Sequence, residues 1–289
     1  MRFPWSLNRC GVPALRGAGL TGKGVRVGLL ETGIRPEHPA LAGRLASYAE
    51  LDRRGVHVPK PTPDDVAGHG THVAGTICGG AAPGFSSVGV APAAELCVAR
   101  CTDGGDAIAR ILGGLDWLLD QEVRVACLAL GVTGRTPVFD TLLAALTGRG
   151  VLTVLSSGNR GAGHALSPAH RPEVLTVGSF GRTGRVSRFS GSLNAPRGKR
   201  CLKPELLAPG EEILSAAPDG GFAKRSGTSM ACAFVAGVAA LLFEARPDAA
   251  AGEVFDSLAR TARPPRREEA YRSVGGPLDA AAALARLDG

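Results

Sequence analysis

Three short segments carry side chains whose types could do chemistry together. "RVGLLETGI" (residues 26–34) runs an apolar strand pattern into Glu31, Thr32 and Gly33, a turn that presents an acid. "GHGTHVAGTI" (68–77) sets His69 between two glycines just before a helical run, and "SGTSMACAFVAG" (226–237) sets Ser229 at the start of a long apolar helix. Each has an ordinary explanation when taken singly. A serine at a helix start is an N-cap, a histidine is held by hydrogen bonds, and a strand-end carboxylate is solvated. An acid, a histidine and a serine in that chain order, each at a strand or helix end, are nevertheless the set that nucleophilic catalysis needs. The backbone N–H of Ser229, at a helix N-terminus, is free to meet a developing oxyanion, and the helix dipole favours negative charge there.

The elements that must position these residues are legible as alternating short apolar runs and helical patterns. "VRVGLL" (25–30), "ELCVAR" (95–100), "VRVACLAL" (123–130), "GVLTVLSS" (150–157) and "EVLTVGS" (173–179) read as strands, several of them apolar on both faces. "DAIARILGGLDWLLDQ" (106–121) and "VFDTLLAALTGRG" (138–150) have helical spacing. The alternation predicts an α/β fold with three αβα layers and a mostly parallel central sheet. At 289 residues, one domain over 1–289 is the expectation. "GAGLTGKG" (17–24) satisfies GxGxxG but precedes its strand, where a nucleotide-binding turn must follow one; it is read as a loop.

Composition narrows the function classes. The net charge is +7, but the arginines are scattered and the densest run, "ARPPRREEAYR", carries its own glutamates, so no nucleic-acid partner is expected. The most apolar run, "MACAFVAGVAALLF" (230–243), is shorter than a bilayer span and reads as a buried helix, so no membrane partner is expected either. Seven cysteines at irregular spacing show no zinc pattern, and "MRFPWSLNRCGVPALRG" has no apolar core of signal-peptide length. The expectation is a reduced, cytoplasmic protein without a cofactor.

In order, "GHGTHVAGTI", "VGVAP", "SSGN" (156–159), "EVLTVGS", "KPELLAPG" and "SGTSMA" resemble the subtilisin-like serine peptidases, from about "GLTGKGVRVGLLETGI" (19–34) to "GGPLDAAAAL" (275–284). The resemblance implies a subtilisin-like fold and hydrolysis of peptide bonds in a peptide or protein substrate. It also implies Ser229 as nucleophile, His69 as general base and then acid, and Asn159 as an oxyanion donor. Glu31 stands where the family normally has an aspartate. "ALGV" (129–132, with Leu130, Gly131 and Val132) and Ser156, Ser157 and Gly158 are implied to line the pocket for the residue before the scissile bond. Asp103, Gly104 and Gly105 in "CTDGGD" (101–106) would pair with the extended substrate. Asp103 and Asp106 either select basic substrates or are solvated loop carboxylates.

This chain departs from the family pattern at several points. A glutamate can accept the imidazole hydrogen bond, fix the tautomer and stabilise the imidazolium, but its extra methylene displaces the carboxylate by about a bond length, and about 1 Å of misplacement can cost on the order of 100-fold. A working Ser-His-Glu triad, a weakened or conditionally active enzyme and a non-catalytic descendant that binds peptide all remain open. Asp64 and Asp65, so close before His69, are expected to tie down its loop. Cys232 is either a thiol handle or core filling, and Phe234 adds bulk behind the site. "CGGAAPGFSSVGVAP" (78–92) has no carboxylate where the family usually carries a calcium loop, so no metal requirement is expected there. The pattern begins almost at Met1, which leaves no room for an inhibitory pro-region, so the expectation is either a domain that folds unaided or a separate inhibitor or regulator that restrains it.

Overall fold

The computed structural model describes residues 2–102, 104–134, 136–194 and 201–288. Its core is a seven-stranded parallel sheet of order β2-β3-β1-β4-β5-β6-β9. The strands are β1 (Arg26–Glu31), β2 (Leu45–Glu50), β3 (Glu95–Arg100), β4 (Val125–Leu128), β5 (Leu152–Ser156), β6 (Leu175–Phe180) and β9 (Leu206–Pro209). Two antiparallel ribbons, β7 (Leu193–Asn194) with β8 (Cys201–Lys203) and β10 (Ile213–Ala216) with β11 (Phe222–Arg225), complete the strand set. Helices α1 (Trp5–Arg9), α2 (Val12–Gly17), α3 (His69–Cys78), α4 (Ala107–Leu118), α5 (Asp140–Gly148), α6 (Thr228–Ala245), α7 (Ala251–Thr261) and α8 (Ala280–Asp288) surround it.

The three layers follow from period-2 alternation within strands that are apolar on both faces. Val27 and Leu29 of β1, Leu96 and Val98 of β3, and Val125 and Cys127 of β4 join one core with α3 and α6. Leu30, Cys97, Ala99, Ala126 and Leu128, the alternate residues, join a second core with α4 and α5. Helix α6 is apolar all round, and every residue from Thr228 to Phe243 is buried. It is long and apolar enough to cross a membrane by length and composition, and the structure uses it as the central core helix instead. The five strands read from sequence are β1, β3, β4, β5 and β6; β2 and β9 extend the sheet on either side.

Two loops have definite structural work. "GAGLTGKG" is a loop whose Thr21 and Gly22 N–H groups both donate to Glu244 Oε2 at 2.5 Å, so its amide nest binds the end of α6. The segment after α3 is closed by its own groups. Ser87 Oγ reaches the carbonyls of Gly79 at 3.1 Å and Gly89 at 2.6 Å, Arg2 and Ser86 exchange two hydrogen bonds, and the Arg2 guanidinium lies over the Phe85 ring. The cationic Arg2 guanidinium stacked on this loop, which has no carboxylate, does not fit a calcium site. Chelation by EDTA should therefore leave the thermal midpoint unchanged, whereas Ser87→Ala should lower stability by about 1–2 kcal/mol, read by urea unfolding.

Candidate active site

The parallel sheet delivers the carboxyl ends of β1, β4 and β5 to one edge, where the residues singled out from sequence gather. Glu31 is the last residue of β1 and is 2% exposed. Its Oε2 lies 2.7 Å from His69 Nδ1, at the start of α3, and accepts the Thr32 N–H at 3.1 Å; Oε1 is buried without a partner among the described residues. The negative charge of Glu31, countered in part by burial and by Arg225, raises the His69 pKa above its ordinary value. The glutamate therefore reaches the histidine despite its extra methylene.

The chain makes room for this contact with glycine. A side chain on Gly70 would collide with the Gly33 carbonyl and lie 3.0 Å from Glu31 Cβ, and one on Gly33, whose φ is +129°, would collide with the Asp64 carbonyl. Asp65 does tie down the His69 loop. It is fully buried and accepts from Thr32 Oγ1, the amides of Gly68 and Thr71, and Thr71 Oγ1. Asp64 instead pairs with Arg35 at the surface.

Ser229 sits in the first turn of α6, 8% exposed, and its hydroxyl donates to the Ala129 carbonyl at 3.0 Å; among the described residues it has no hydrogen bond to His69. Asn159 is clamped by the residue before Ser229: its Oδ1 accepts from Thr228 N at 2.9 Å and Thr228 Oγ1 at 3.0 Å, which leaves Nδ2 without a protein partner among the described residues. Ser229 and Asn159 both line a cavity of about 310 Å³ with Leu130, Gly131, Val132, Ser156 and Gly158. Ser157 is fully buried and not part of that lining.

Thr102, within the "CTDGGD" segment, belongs to the cavity, as do Ile111 and Leu166, which were not read from sequence. Leu166 packs so closely that a side chain at Gly158 would come within 2.6 Å of its Cγ, and one at Gly131 within 2.8 Å of its Cβ. Glycines facing a leucine across two separate loops leave no local sequence signal. Thr228, by contrast, stands beside Ser229 in the same motif and was open to the same reading. Gly104 and Gly105 have positive φ and lie outside the cavity lining; Asp103 lies outside the described residues. Asp106 is exposed, as a solvated loop carboxylate should be, and its side chain also caps α4 by accepting from Ile108 N and Ala109 N.

Behind the site, Cys232 is fully buried, with its Sγ 3.3 Å from the Val154 carbonyl and 3.6 Å from Cys127 Sγ. The hydrogen bond with Cys232, together with burial, pushes the Cys127 thiol up. Both sulfurs are fully buried, so the pair fills core, as does the fully buried Phe234.

A parallel αβα fold that gathers a buried carboxylate, a histidine bonded to it and a serine at its carboxyl edge has the group types of a Ser-His-acid hydrolase. Residues 22–279 match the subtilase family of peptidases. The chain is 34% identical over 264 residues to subtilisin BL of Lederbergia lenta, covering 90% of this chain and 91% of that one. It is equally identical over 264 residues to M-protease of Shouchella clausii (strain KSM-K16), of which it spans 64%, and 30% identical over 269 residues to subtilisin E of Bacillus subtilis (strain 168), of which it spans 66%. The chain belongs to the subtilase family of serine endopeptidases. Gly70→Ala should destabilise it by about 3 kcal/mol in chemical unfolding, because the new methyl group meets backbone that cannot yield.

Proposed function

We propose that this chain is a serine endopeptidase working through an acyl-enzyme on Ser229, with His69 as base and then acid and Glu31 as the orienting carboxylate. The observation that carries this reading is the 2.7 Å contact between His69 Nδ1 and a buried carboxylate, on the sheet edge that also holds the Ser229 cavity. With Nδ1–H donated to Glu31, the imidazole keeps Nε2 as an acceptor. For the reaction the Ser229 hydroxyl must leave the Ala129 carbonyl, its partner at 3.0 Å, for that nitrogen. Its proton passes to Nε2 as Oγ bonds the scissile carbonyl carbon, and the carbonyl oxygen, taking the electron pair, meets the Ser229 N–H and Asn159 Nδ2. Collapse re-forms the carbonyl and breaks the C–N bond while Nε2 gives the proton to the leaving amine. Water then repeats the sequence and restores Ser229.

The cavity is the pocket for the residue before the cut, and the Gly104–Gly105 segment is the edge for the extended substrate. With Leu166 wedged between Gly131 and Gly158, the pocket takes small and medium apolar side chains in preference to aromatic ones. Processing of a peptide or protein precursor in the cytoplasm is the role we assign, supported by seven free, buried cysteines that suit a reducing compartment. A separate inhibitor or regulator would act by filling the same cleft. The Ser229–Ala129 hydrogen bond favours one second reading, a cleft that holds extended peptide by strand addition without cutting it.

A serine-directed fluorophosphonate separates the two readings. The peptidase acquires one adduct, mapped by mass spectrometry to Ser229 and absent from Ser229→Ala; folded protein left unlabelled but still binding peptide would establish the second reading. His69 must be neutral to accept the proton, and Glu31 raises its pKa, so the acidic limb of kcat/KM should lie above the ordinary imidazole value of about 6.5. Glu31→Gln removes the negative charge, which should move that limb to lower pH and lower kcat by ~10⁴-fold. Leu166→Gly should raise kcat/KM for phenylalanine relative to alanine before the cut by about 10-fold or more, measured on paired peptide substrates.

A further inference from the structure

The loop before α3 holds a second carboxylate that the proposed reaction does not use. Asp65 Oδ1 accepts from Thr32 Oγ1 at 2.7 Å and Gly68 N at 2.9 Å, and Oδ2 accepts from Thr71 N and Thr71 Oγ1, both at 2.7 Å. Thr32 Oγ1 in turn accepts the Gly70 N–H at 3.0 Å. Asp65 is fully buried, and among the described residues it makes no ion pair. A carboxylate taken out of water without a cation is costly, and here four donors converge to offset that cost.

Those donors come from both sides of the Glu31–His69 pair. Thr32 follows Glu31 in the chain, while Gly68 and Thr71 flank His69. Glu31 has one more torsion than an aspartate, and among the described residues its Oε2 is held by Thr32 N and His69 while Oε1 has no partner. Both groups that hold Glu31 are therefore themselves anchored through Asp65. An asparagine could not substitute, because four donors face two oxygens and an amide offers only one acceptor oxygen.

We propose that Asp65, acting through the Thr32 hydroxyl and the first turn of α3, is the positioning residue that sets the spacing between Glu31 and His69 and so makes a glutamate serviceable in this site. The proposal rests on the serine-peptidase reading and is tested separately from it. Asp65→Asn and Thr32→Val should each lower kcat by about 10- to 100-fold with KM changed less than about threefold, while Thr32→Ser, which keeps the hydroxyl, should stay within about threefold of wild type.

The charged and titratable groups facing His69 are Glu31 on β1, Asp65 in its loop, Arg225 on β11 and His72 on α3. Removing the Asp65 charge and loosening the Glu31 contact act in the same direction, so the acidic limb should move to lower pH in Asp65→Asn. The His69 Nδ1–H proton, read as a far-downfield resonance in proton NMR, should be present in wild type and Thr32→Ser and lost in Asp65→Asn and Thr32→Val. Wild-type kcat, an unmoved limb and a retained downfield proton in folded Thr32→Val would overturn the proposal even if Asp65→Asn fails to fold. A wild-type protein that neither turns over substrate nor labels on Ser229 would instead defeat the peptidase reading, and the NMR signal would still decide the role of Asp65.

Discussion

A carboxylate buried at the end of a strand is tolerable only if its charge is answered, and the carboxyl edge of this sheet is arranged around answering Glu31. Strand β1 lies third in the sheet, covered on both faces, so its last side chain emerges beneath α3 rather than into water. The imidazole of His69 and the Thr32 amide meet that charge. Bringing them there requires the first turn of α3 to touch the backbone after β1, which is why Gly33 and Gly70 cannot carry side chains. The raised basicity of His69 is the electrostatic return of the same arrangement.

Much of this was legible in the sequence, for identifiable reasons. Strands β1, β3, β4, β5 and β6 are apolar on both faces, and such runs bounded by glycine have few other readings. Strand β2 escaped because "LASYAE" at the sheet edge is only partly buried and shows no clean alternation. Strand β9 escaped because "LLAP" is four residues long and ends in a proline. At the site, Glu31, His69, Asn159 and Ser229 stand in motifs with distinctive neighbours, whereas Leu166 and the Ala129 carbonyl matter only through contacts between loops far apart in the chain. Asp106 is the solvated carboxylate that one of its two readings expected, and its position two and three residues before the amides of Ile108 and Ala109 adds an N-cap.

The departures from the family pattern share a common physics, in which a local group replaces something usually supplied differently. A longer acid reaches the histidine, an arginine stacked on Phe85 stands where a cation-binding loop is usual, and two thiols fill the space behind the serine. Each substitution preserves the shape of the backbone while changing the chemistry that holds it.

Helix α6 carries one more implication. Sixteen consecutive residues, from Thr228 to Phe243, are buried, and Ser229 is the second of them. The reactive end of the site is thus fastened to the part of the molecule that opens last, since a fully enclosed helix exchanges its amides only when the whole domain comes apart. Local fraying of surface loops leaves Ser229 in place, and loosening of α6 dismantles the site together with the core. The placement of Ser229 thus lasts as long as the core around α6 does.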